Sequence, residues 1–436
     1  MRIGVASVDI TPALGLPMDG FEARTAGASG VHDPLVARVL AAEGVDGTTV
    51  ALVVADLLQI DPGLQGLIAD RVDRSVGIPR QHLQLAGTHT HSGPRVDPGS
   101  ALEAQLADRI ASAVQAAVAD LRPAAIAVGI GTVSGIGANR RPRGGPMDDR
   151  VTVVRIDALD GSPIATLVNY GCHPTTLGPD NTLYSADYPG VLRRELEAAI
   201  GGVAVFTTGP QGDVNPGGYS PEDSMIGIVV PWRTFESAER YGRLLADSAV
   251  AVHRTLRPAP ADDVWGVSDL VELARKPLPD PATAQHAAEA ARSVAETVRA
   301  ADLTPDAGYH ALLAAAYAEL IALQAGAADR DDPVTIRASA IGIGPFVHVG
   351  IGGELFVELG RKIRAAVGDA SSCVAALCDG TIGYIPTAEV FAEGGYEPNA
   401  SVLRPGEGER LVDAVVARVA AARVAAARGA TAGSGS

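Results

Sequence analysis

Short apolar segments rich in β-branched residues alternate along the whole chain with longer amphipathic ones, and this alternation restricts the fold more than any other feature. Segments such as 49–60 and 151–157 have the length and composition of buried strands. Segment 102–121 places leucine and alanine at three- and four-residue spacing with charges between them, which indicates a helix. The sequence therefore predicts an α/β domain with a layered, mixed β-sheet core and flanking helices.

One long alanine-rich segment departs from this alternation. Residues 281–328 contain no glycine before Gly308, and the helix-breaking sequence TPDAG at 304–308 divides them. The pattern predicts an inserted helical hairpin, which would serve either as a lid over a site or as a packing or dimerisation arm. Residues 1–429 are predicted to form a single domain, and the small, polar residues 430–436 to form a disordered tail.

Charge, aromatic content and cysteine usage exclude several classes of partner and compartment. The net charge is −16 and the pI is near 5.0, which disfavours nucleic acid and anionic membranes as partners. Only 4% of residues are aromatic, so recognition by stacking is disfavoured, and three cysteines argue against a disulfide framework. No signal peptide and no membrane-spanning run is visible, so we expect a cytoplasmic protein. High alanine, arginine and valine with few lysines indicates a GC-rich bacterial source.

Two histidines follow a predicted strand. Residues 81–86 read as that strand, and the next segment, 87–94, has the sequence GTHTHSGP, with His89 and His91 two residues apart. Side chains at i and i+2 of a strand point to the same face, so both imidazoles would project together. Two imidazoles directed at one place suit a divalent metal, most commonly zinc. An ordinary strand end with two polar residues has the same pattern, so the pair alone is weak evidence.

Further polar residues follow other predicted strands. His173 and the glycine-rich loop around Asp213 each come after an apolar strand, and Glu354 and Tyr384 follow two more. Open α/β sheets place their sites at strand ends, so these loops are expected to converge. A catalytic zinc typically takes three ligands of the His/His/Glu kind, which His89, His173 and Glu354 would supply. Their long spacing along the chain cannot establish the site.

A series of motifs along nearly the whole chain resembles the N-terminal domain of the neutral/alkaline, non-lysosomal ceramidases, which are zinc-dependent amide hydrolases. Order and rough spacing both match, and together the motifs are specific although each alone is not. The matching motifs are VDITP at 8–12, GTHTHSGP at 87–94, NR at 139–140, HPT at 173–175, GDV at 212–214, GELF at 353–356, YIPT at 384–387 and YE at 396–397.

The resemblance implies one zinc ion per chain. His91 would lie beside the metal, either supporting a ligand or transferring protons. The ligands implied by the family motifs are His89, His173, Glu354 and Tyr384.

The resemblance also implies residues that act on the substrate, and two features depart from the family pattern. Arg140 matches a family arginine near the substrate, and Tyr396 matches a tyrosine that hydrogen-bonds the scissile group. Asn215 stands where the family has a serine proposed as a catalytic residue. An amide cannot act as that nucleophile, but it can donate to a developing oxyanion or hold a water. Family members also carry a C-terminal β-sandwich domain, and we expect a small bacterial member without one.

These observations predict a zinc-dependent hydrolase that cleaves an amide or ester bond of a small soluble substrate other than ceramide. Without a serine at position 215, attack by zinc-bound hydroxide is the simpler mechanism, with His91 transferring protons. Tyr396, Asn215 and Arg140 would stabilise the oxyanion or the substrate. Two alternatives stay open: a zinc-dependent lyase or isomerase, and a non-catalytic zinc-containing homologue that binds a ligand. The sequence is also compatible with a homo-oligomer.

Overall fold

The computed structural model describes residues 1–141, 143–301, 305–327, 329 and 331–433, and every structural statement below refers to these residues. The strands in chain order are β1 (Arg2–Asp9), β2 (Gly30–Val31), β3 (Val36–Glu43), β4 (Thr49–Ala55), β5 (Leu83–Gly87), β6 (Arg122–Thr132), β7 (Gly137–Asn139), β8 (Arg150–Ala158), β9 (Pro163–Tyr170), β10 (Leu183–Tyr184), β11 (Val203–Thr208), β12 (Val214–Pro216), β13 (Ala259–Pro260), β14 (Val264–Leu273), β15 (Val334–Ile343), β16 (Phe346–Ile351), β17 (Glu354–Leu355), β18 (Ser372–Ala375) and β19 (Tyr384–Ile385).

Helices connect these strands, and a short 3₁₀ turn precedes β5. The helices in chain order are α1 (Pro62–Val76), α2 (Ala101–Ala119), α3 (Asp187–Ile200), α4 (Pro221–Met225), α5 (Phe235–Thr255), α6 (Pro281–Ala300), α7 (Pro305–Gly326), α8 (Val357–Val367), α9 (Val390–Glu393), α10 (Tyr396–Ala400) and α11 (Glu407–Gly433).

The largest sheet bends so that its two halves face each other. One half contains β1, β3, β4 and β5, the other contains β6, β8, β9, β11 and β13, and a two-residue pairing between the first residues of β1 and β6 joins them. Most neighbours are antiparallel, but β4 with β5 and β9 with β11 are parallel. The bend brings the two edge strands together, because the Thr208 hydroxyl of β11 donates a hydrogen bond of 2.6 Å to the Thr88 carbonyl directly after β5.

Alternating side chains explain why this bend is stable. Leu52 of β4 and Leu167 of β9 point between the two halves, where they join a buried cluster with Phe346 of a smaller sheet, β14–β15–β16–β18. Neighbouring residues such as Val53 point outward and pack under α1 and α2, while α3 and α5 cover the other half. Helices α8 and α11 cover the outer face of the smaller sheet. The result is the mixed, layered α/β architecture that the alternation predicts.

The predicted segments match observed elements apart from their bounds, while one eight-residue strand and several shorter elements are missed. The predicted segments 49–60, 151–157 and 102–121 correspond to β4, β8 and α2. Strand β3 is not predicted, because its run of alanines and the charged Arg38 hide the alternation. It nevertheless pairs along its whole length with β1 and β4 in the middle of one half-sheet.

The inserted hairpin and the chain end also have observed counterparts. The hairpin over 281–328 is confirmed as the packed pair α6 and α7, while part of its break, 302–304, lies outside the described residues. Helix α11 is described as far as Gly433, and the predicted disordered tail, 430–436, stays a prediction. Residues 434–436 lie outside the described residues, and the single-domain assignment stays a prediction.

Candidate metal centre

The imidazoles of His89 and His91 lie next to each other, but these residues are not part of a strand. Strand β5 ends at Gly87, and His89 adopts the left-handed region with a φ of 68°. This bend brings the Nε2 atoms of His89 and His91 to 3.3 Å. The predicted same-face geometry on a strand is therefore wrong, although the two imidazoles do share one place. A left-handed residue other than glycine costs about 1–3 kcal/mol, so the surrounding structure must hold this conformation.

A third histidine and a carboxylate complete a buried cluster. Ligand nitrogens of His89, His91 and His173 all lie within 4.8 Å of one another. One Glu354 carboxylate oxygen lies 2.9 Å from Nε2 of His173 and 3.5 Å from Nε2 of His89. The structure therefore brings together three of the four predicted ligands and adds His91 to the same cluster.

Backbone carbonyls set the orientation of two imidazoles. Nδ1 of His89 lies 2.9 Å from the Leu58 carbonyl oxygen, and Nδ1 of His173 lies 2.9 Å from the Val214 carbonyl oxygen. A carbonyl only accepts, so each Nδ1 donates its hydrogen, and each Nε2 is directed into the cluster. This is the orientation that metal-bound histidines adopt.

Burial sets the charge states that a metal would meet. Burial lowers the pKa of His173 to about 4, with Arg140 adding to the effect, so its imidazole is neutral at pH 7. Burial opposes ionisation of Glu354, but His89 and His173 outweigh it and hold the pKa of this carboxyl well below its usual value. Two imidazoles, of which that of His173 is neutral, and one carboxylate match the donor set of a catalytic zinc site. The residues present therefore fit a divalent metal.

Tyr384 and Tyr396 lie beside this cluster. Tyr384 is paired with Glu354 in the short parallel sheet of β17 and β19, which places it next to the carboxylate. The rings of Tyr384 and Tyr396 have centroids 5.4 Å apart. Burial raises the pKa of both phenols above the usual value, so both keep their hydrogens at neutral pH. Metal ligation by Tyr384 stays a prediction.

Arg140 belongs to the site through a hydrogen-bonded network. Its guanidinium donates to a Glu397 carboxylate oxygen at 2.7 Å, to Asn215 Oδ1 at 2.8 Å and to the Gly212 carbonyl at 2.9 Å. The guanidinium carbon lies 5.4 Å from the centroid of the Tyr384 ring. Burial opposes its charge, but Tyr384 and Glu397 raise its pKa well above the usual value. Arg140 is therefore a permanent cation at the cavity wall.

Asn215 lies behind Arg140 and is hydrogen-bonded on both sides of its amide. Its side chain is fully buried, accepts a hydrogen bond from Arg140 and donates one of 3.1 Å to the Tyr219 carbonyl. It is absent from the described residues that line the cavity. Asn215 therefore holds Arg140 by a hydrogen bond, and oxyanion stabilisation by its amide stays a prediction.

The sequence analysis does not identify two residues that contact the site, Glu397 and Phe21. Glu397 accepts from both Arg140 and Arg141, the latter at 2.6 Å, and all three side chains are buried. Phe21 packs its ring 4.8 Å from that of His91. The YE motif contains Glu397, but nothing in the sequence links it to arginines more than 250 residues away.

A cavity of about 650 Å³ opens above the cluster. His91, His173, Arg140, Tyr384 and Tyr396 form its polar side. Its apolar side includes Met18, Phe21, Leu58, Met225 and Leu320.

The hairpin contributes to this cavity through α7. Leu320 of α7 lines the wall, and the Tyr317 hydroxyl donates a hydrogen bond of 2.8 Å to Glu222 of α4. The amide of Gln324 donates to the Ala400 carbonyl of α10 at 2.9 Å. These contacts place the hairpin against the cavity, and its role as a lid or as a packing or dimerisation arm stays a prediction.

Fold and site define an α/β protein with a buried cluster of histidines and a glutamate that could hold a metal ion, at the base of a mixed polar and apolar cavity. A family model described as "Neutral/alkaline non-lysosomal ceramidase, N-terminal" matches residues 1–222. The chain belongs to this family, as the motif resemblance predicts. Among the described residues, no helix combines the length and apolar character needed to cross a membrane.

Individual relatives agree with this assignment. The chain is 26% identical over 286 residues to a neutral ceramidase of Mycobacterium tuberculosis, covering 56% of this chain and 44% of that protein. It is 26% identical over 223 residues to neutral ceramidase 1 of Arabidopsis thaliana, covering 45% and 29% respectively. It thus spans less than half the length of these curated relatives. The crystal structure of neutral ceramidase from Pseudomonas aeruginosa superimposes with a TM-score of 0.72 at 19% identity, covering 95% of this chain and 73% of that one. This similarity shows the shared fold.

Proposed function

We propose that this protein is a zinc-dependent hydrolase that cleaves an amide or ester bond of a small soluble substrate. The observation that carries the proposal is the buried cluster in which Nε2 of His89 and Nε2 of His173 are both directed toward the Glu354 carboxylate. The cluster forms the base of a cavity large enough for a small molecule. The names of the relatives, which are ceramidases, support amide cleavage.

Zinc held by His89, His173, Glu354 and Tyr384 would lower the pKa of a water molecule and polarise the scissile carbonyl. The protein's own contribution includes proton transfer. His91 is neutral, because burial holds its pKa well below the usual value, and its Nε2 lies in the cluster. Nε2 of His91 is therefore placed to accept a proton from the attacking water and to deliver it to the leaving group.

Two further groups act on the substrate. The Tyr396 phenol lines the cavity and keeps its hydrogen at neutral pH, so it can donate to the scissile group. Arg140 supplies a fixed positive charge beside both tyrosines and is held by Asn215 and Glu397. Loss of one donor to an oxyanion typically lowers the rate by about 10²–10³. Attack by a water molecule requires no nucleophilic side chain at position 215. The Asn215 amide oxygen instead accepts a hydrogen bond from Arg140.

The first experiment is metal analysis of protein purified without chelator, by plasma mass spectrometry. We expect one zinc ion per wild-type chain, lost in His173→Ala and Glu354→Ala, which remove donors from the cluster. His348→Gln is the matched control, because His348 is equally buried but outside the cluster. A wild-type protein without bound metal, or zinc retained in both cluster variants, would exclude the proposed centre.

The second experiment separates the proposed reaction from the alternatives. Hydrolysis in ¹⁸O-labelled water places the label in the carboxylate product, whereas a lyase or isomerase leaves the product unlabelled. A non-catalytic homologue would bind amides without releasing any product. Zinc-loaded protein that cleaves nothing in a panel of amides, esters and lactones would contradict the hydrolase assignment.

A further inference from the structure

Arg24 lines the cavity without a paired carboxylate. The residue is 9% exposed, and no carboxylate oxygen of the described residues lies within 4.0 Å of its guanidinium nitrogens. Its terminal nitrogens donate to the carbonyls of Asp19 and Gly178 at 3.0 and 3.1 Å. Its Nε is buried and has no hydrogen-bond partner. Buried charges are ordinarily paired, and an orphaned charged donor at a cavity wall is therefore a candidate ligand site.

A second arginine strengthens the local positive charge. The guanidinium carbons of Arg24 and Arg233 lie 5.0 and 4.9 Å from the centroid of the same ring, Phe21. Arg233 is buried, and its hydrogen bonds go to the Thr175 and Leu177 carbonyls and the Ser224 hydroxyl, which are uncharged groups. Burial and the neighbouring Arg233 lower the pKa of Arg24 to about 10, which leaves it charged at neutral pH.

Acidic residues near Arg24 do not neutralise it by contact. Asp19 and Asp180 attract it from beyond ion-pairing distance, and Glu22 lines the same cavity. Arg95, another arginine of the cavity, differs because its Nε pairs with Asp97 at 3.1 Å. Arg24 is therefore the place on this wall where an anion gains a charged hydrogen-bond partner without displacing a protein carboxylate.

The position of Arg24 relates it directly to the metal cluster. The Phe21 ring that contacts Arg24 also lies 4.8 Å from the His91 ring. One aromatic ring thus separates the guanidinium from the cluster. These two contacts limit the separation of the guanidinium carbon and the His91 ring centroid to about 10 Å, so a substrate bound at the cluster can also extend to Arg24. The apolar wall that includes Met225 and Leu320 is available for the remainder of the molecule.

We propose that Arg24 binds a carboxylate on the amine side of the substrate, so that the substrates are N-acyl amino acids with the acyl chain along the apolar wall. This inference rests on the proposed hydrolase function. The reaction adds one water molecule: the acyl C–N bond breaks, a C–O bond forms, and a proton passes to the nitrogen. The products are a fatty acid and a free amino acid.

Kinetics on an isosteric pair test the proposal. N-octanoylglycine and N-octanoylglycinamide differ in carrying a carboxylate or a neutral amide at the same position. Charged hydrogen bonds contribute about 1.5–3 kcal/mol, so kcat/KM of wild type should favour the carboxylate about 10- to 100-fold. Arg24→Gln should abolish this preference, mainly through KM, and Arg24→Lys should retain part of it. Arg95→Gln is the matched control and should keep the preference, because Arg95 is already paired.

Binding measurements separate failure of this inference from failure of the proposed function. Calorimetric titration of metal-free wild type with N-octanoylglycine should give a Kd about tenfold or more below that for the glycinamide, and Arg24→Gln should remove the difference. If neither compound releases octanoate, the hydrolase proposal fails, while the titration still tests Arg24. Equal kcat/KM and equal Kd for the two compounds, or a preference lost in Arg95→Gln and kept in Arg24→Gln, would overturn the inference. Circular dichroism confirms that Arg24→Gln is folded, and Arg24→Lys replaces it where it is not.

Discussion

Arg140 and Arg141 share one buried carboxylate, and this arrangement makes a quantitative prediction. One Glu397 carboxylate oxygen pairs with Arg140 at 2.7 Å, and the other pairs with Arg141 at 2.6 Å. The three side chains are 2–4% exposed. Breaking a buried ion pair ordinarily costs about 3–5 kcal/mol, because one charge is left uncompensated. Here the loss of either arginine leaves Glu397 with the other. Each single substitution should therefore cost less than the usual amount.

The magnitudes follow from the bonds that each variant loses. Arg140→Met leaves Asn215 Oδ1 and the Gly212 carbonyl without a donor, and Arg141→Met leaves the Gly394 carbonyl without one. Such orphaned acceptors typically cost about 1–3 kcal/mol, so we expect each single variant to lose about 2–3 kcal/mol of unfolding free energy. The double variant leaves the Glu397 charge buried alone and should exceed the sum of the singles by about 2 kcal/mol.

Urea unfolding followed by circular dichroism measures this double-mutant cycle. Adding Glu397→Gln to the double variant should recover most of the excess, because no buried charge then remains. Measurements at low and high salt should give the same coupling, since buried pairs are screened little. Single-variant losses that add within about 0.5 kcal/mol would refute the shared-carboxylate reasoning.

Two other substitutions test the pH response and the loop over His91. Burial lowers the pKa of His348 to about 3 in the folded protein, whereas its pKa in the unfolded chain is 6.5. Between these two pH values only the unfolded chain binds a proton at this residue. Stability is therefore lost as the pH falls from 6.5 toward 3. His348→Gln should reduce the loss of unfolding free energy between pH 7.5 and pH 5 by about 2 kcal/mol, and an unchanged loss would contradict this. Gly20→Ala places a Cβ 2.6 Å from the His91 ring and should lower kcat/KM for octanoate release roughly 100-fold. Gly15→Ala, which shares the positive φ but has nothing within 4 Å, is the control, and equal losses in both variants would exclude the contact as the cause.

Local sequence signals predict which loops form the site, but not how they meet. Strand ends with histidine or acidic residues are visible in the sequence, because apolar runs stop at glycine-flanked polar turns. The loops after β5 and β11 come from opposite edges of one sheet, and they meet because the sheet bends. That bend depends on packing between distant strands around residues such as Leu52 and Phe346. No local pattern encodes such long-range packing.

The local conformation of His89 is a second feature beyond prediction. The i, i+2 spacing with His91 suggests a strand, yet His89 has a positive φ and hydrogen-bonds the Leu58 carbonyl. Only the tertiary contacts that hold this loop make the strained conformation stable. The family motif predicts His89 as a ligand without revealing the backbone geometry that directs its imidazole into the cluster.

The histidine–glutamate cluster and the cavity wall have different structural origins, and this difference bears on how far family membership extends. Main-chain carbonyls of Leu58 and Val214 orient the two histidines, so the fold itself orients both imidazoles whatever side chains occupy those two positions. The substrate-facing wall instead depends on side chains of a loop and a helical hairpin, such as Arg24 and Leu320. Loops and insertions vary more readily than the elements that support them. A shared fold at 19% identity shows a common architecture only, so the chemistry and the substrate choice have to be argued from the side chains of this chain.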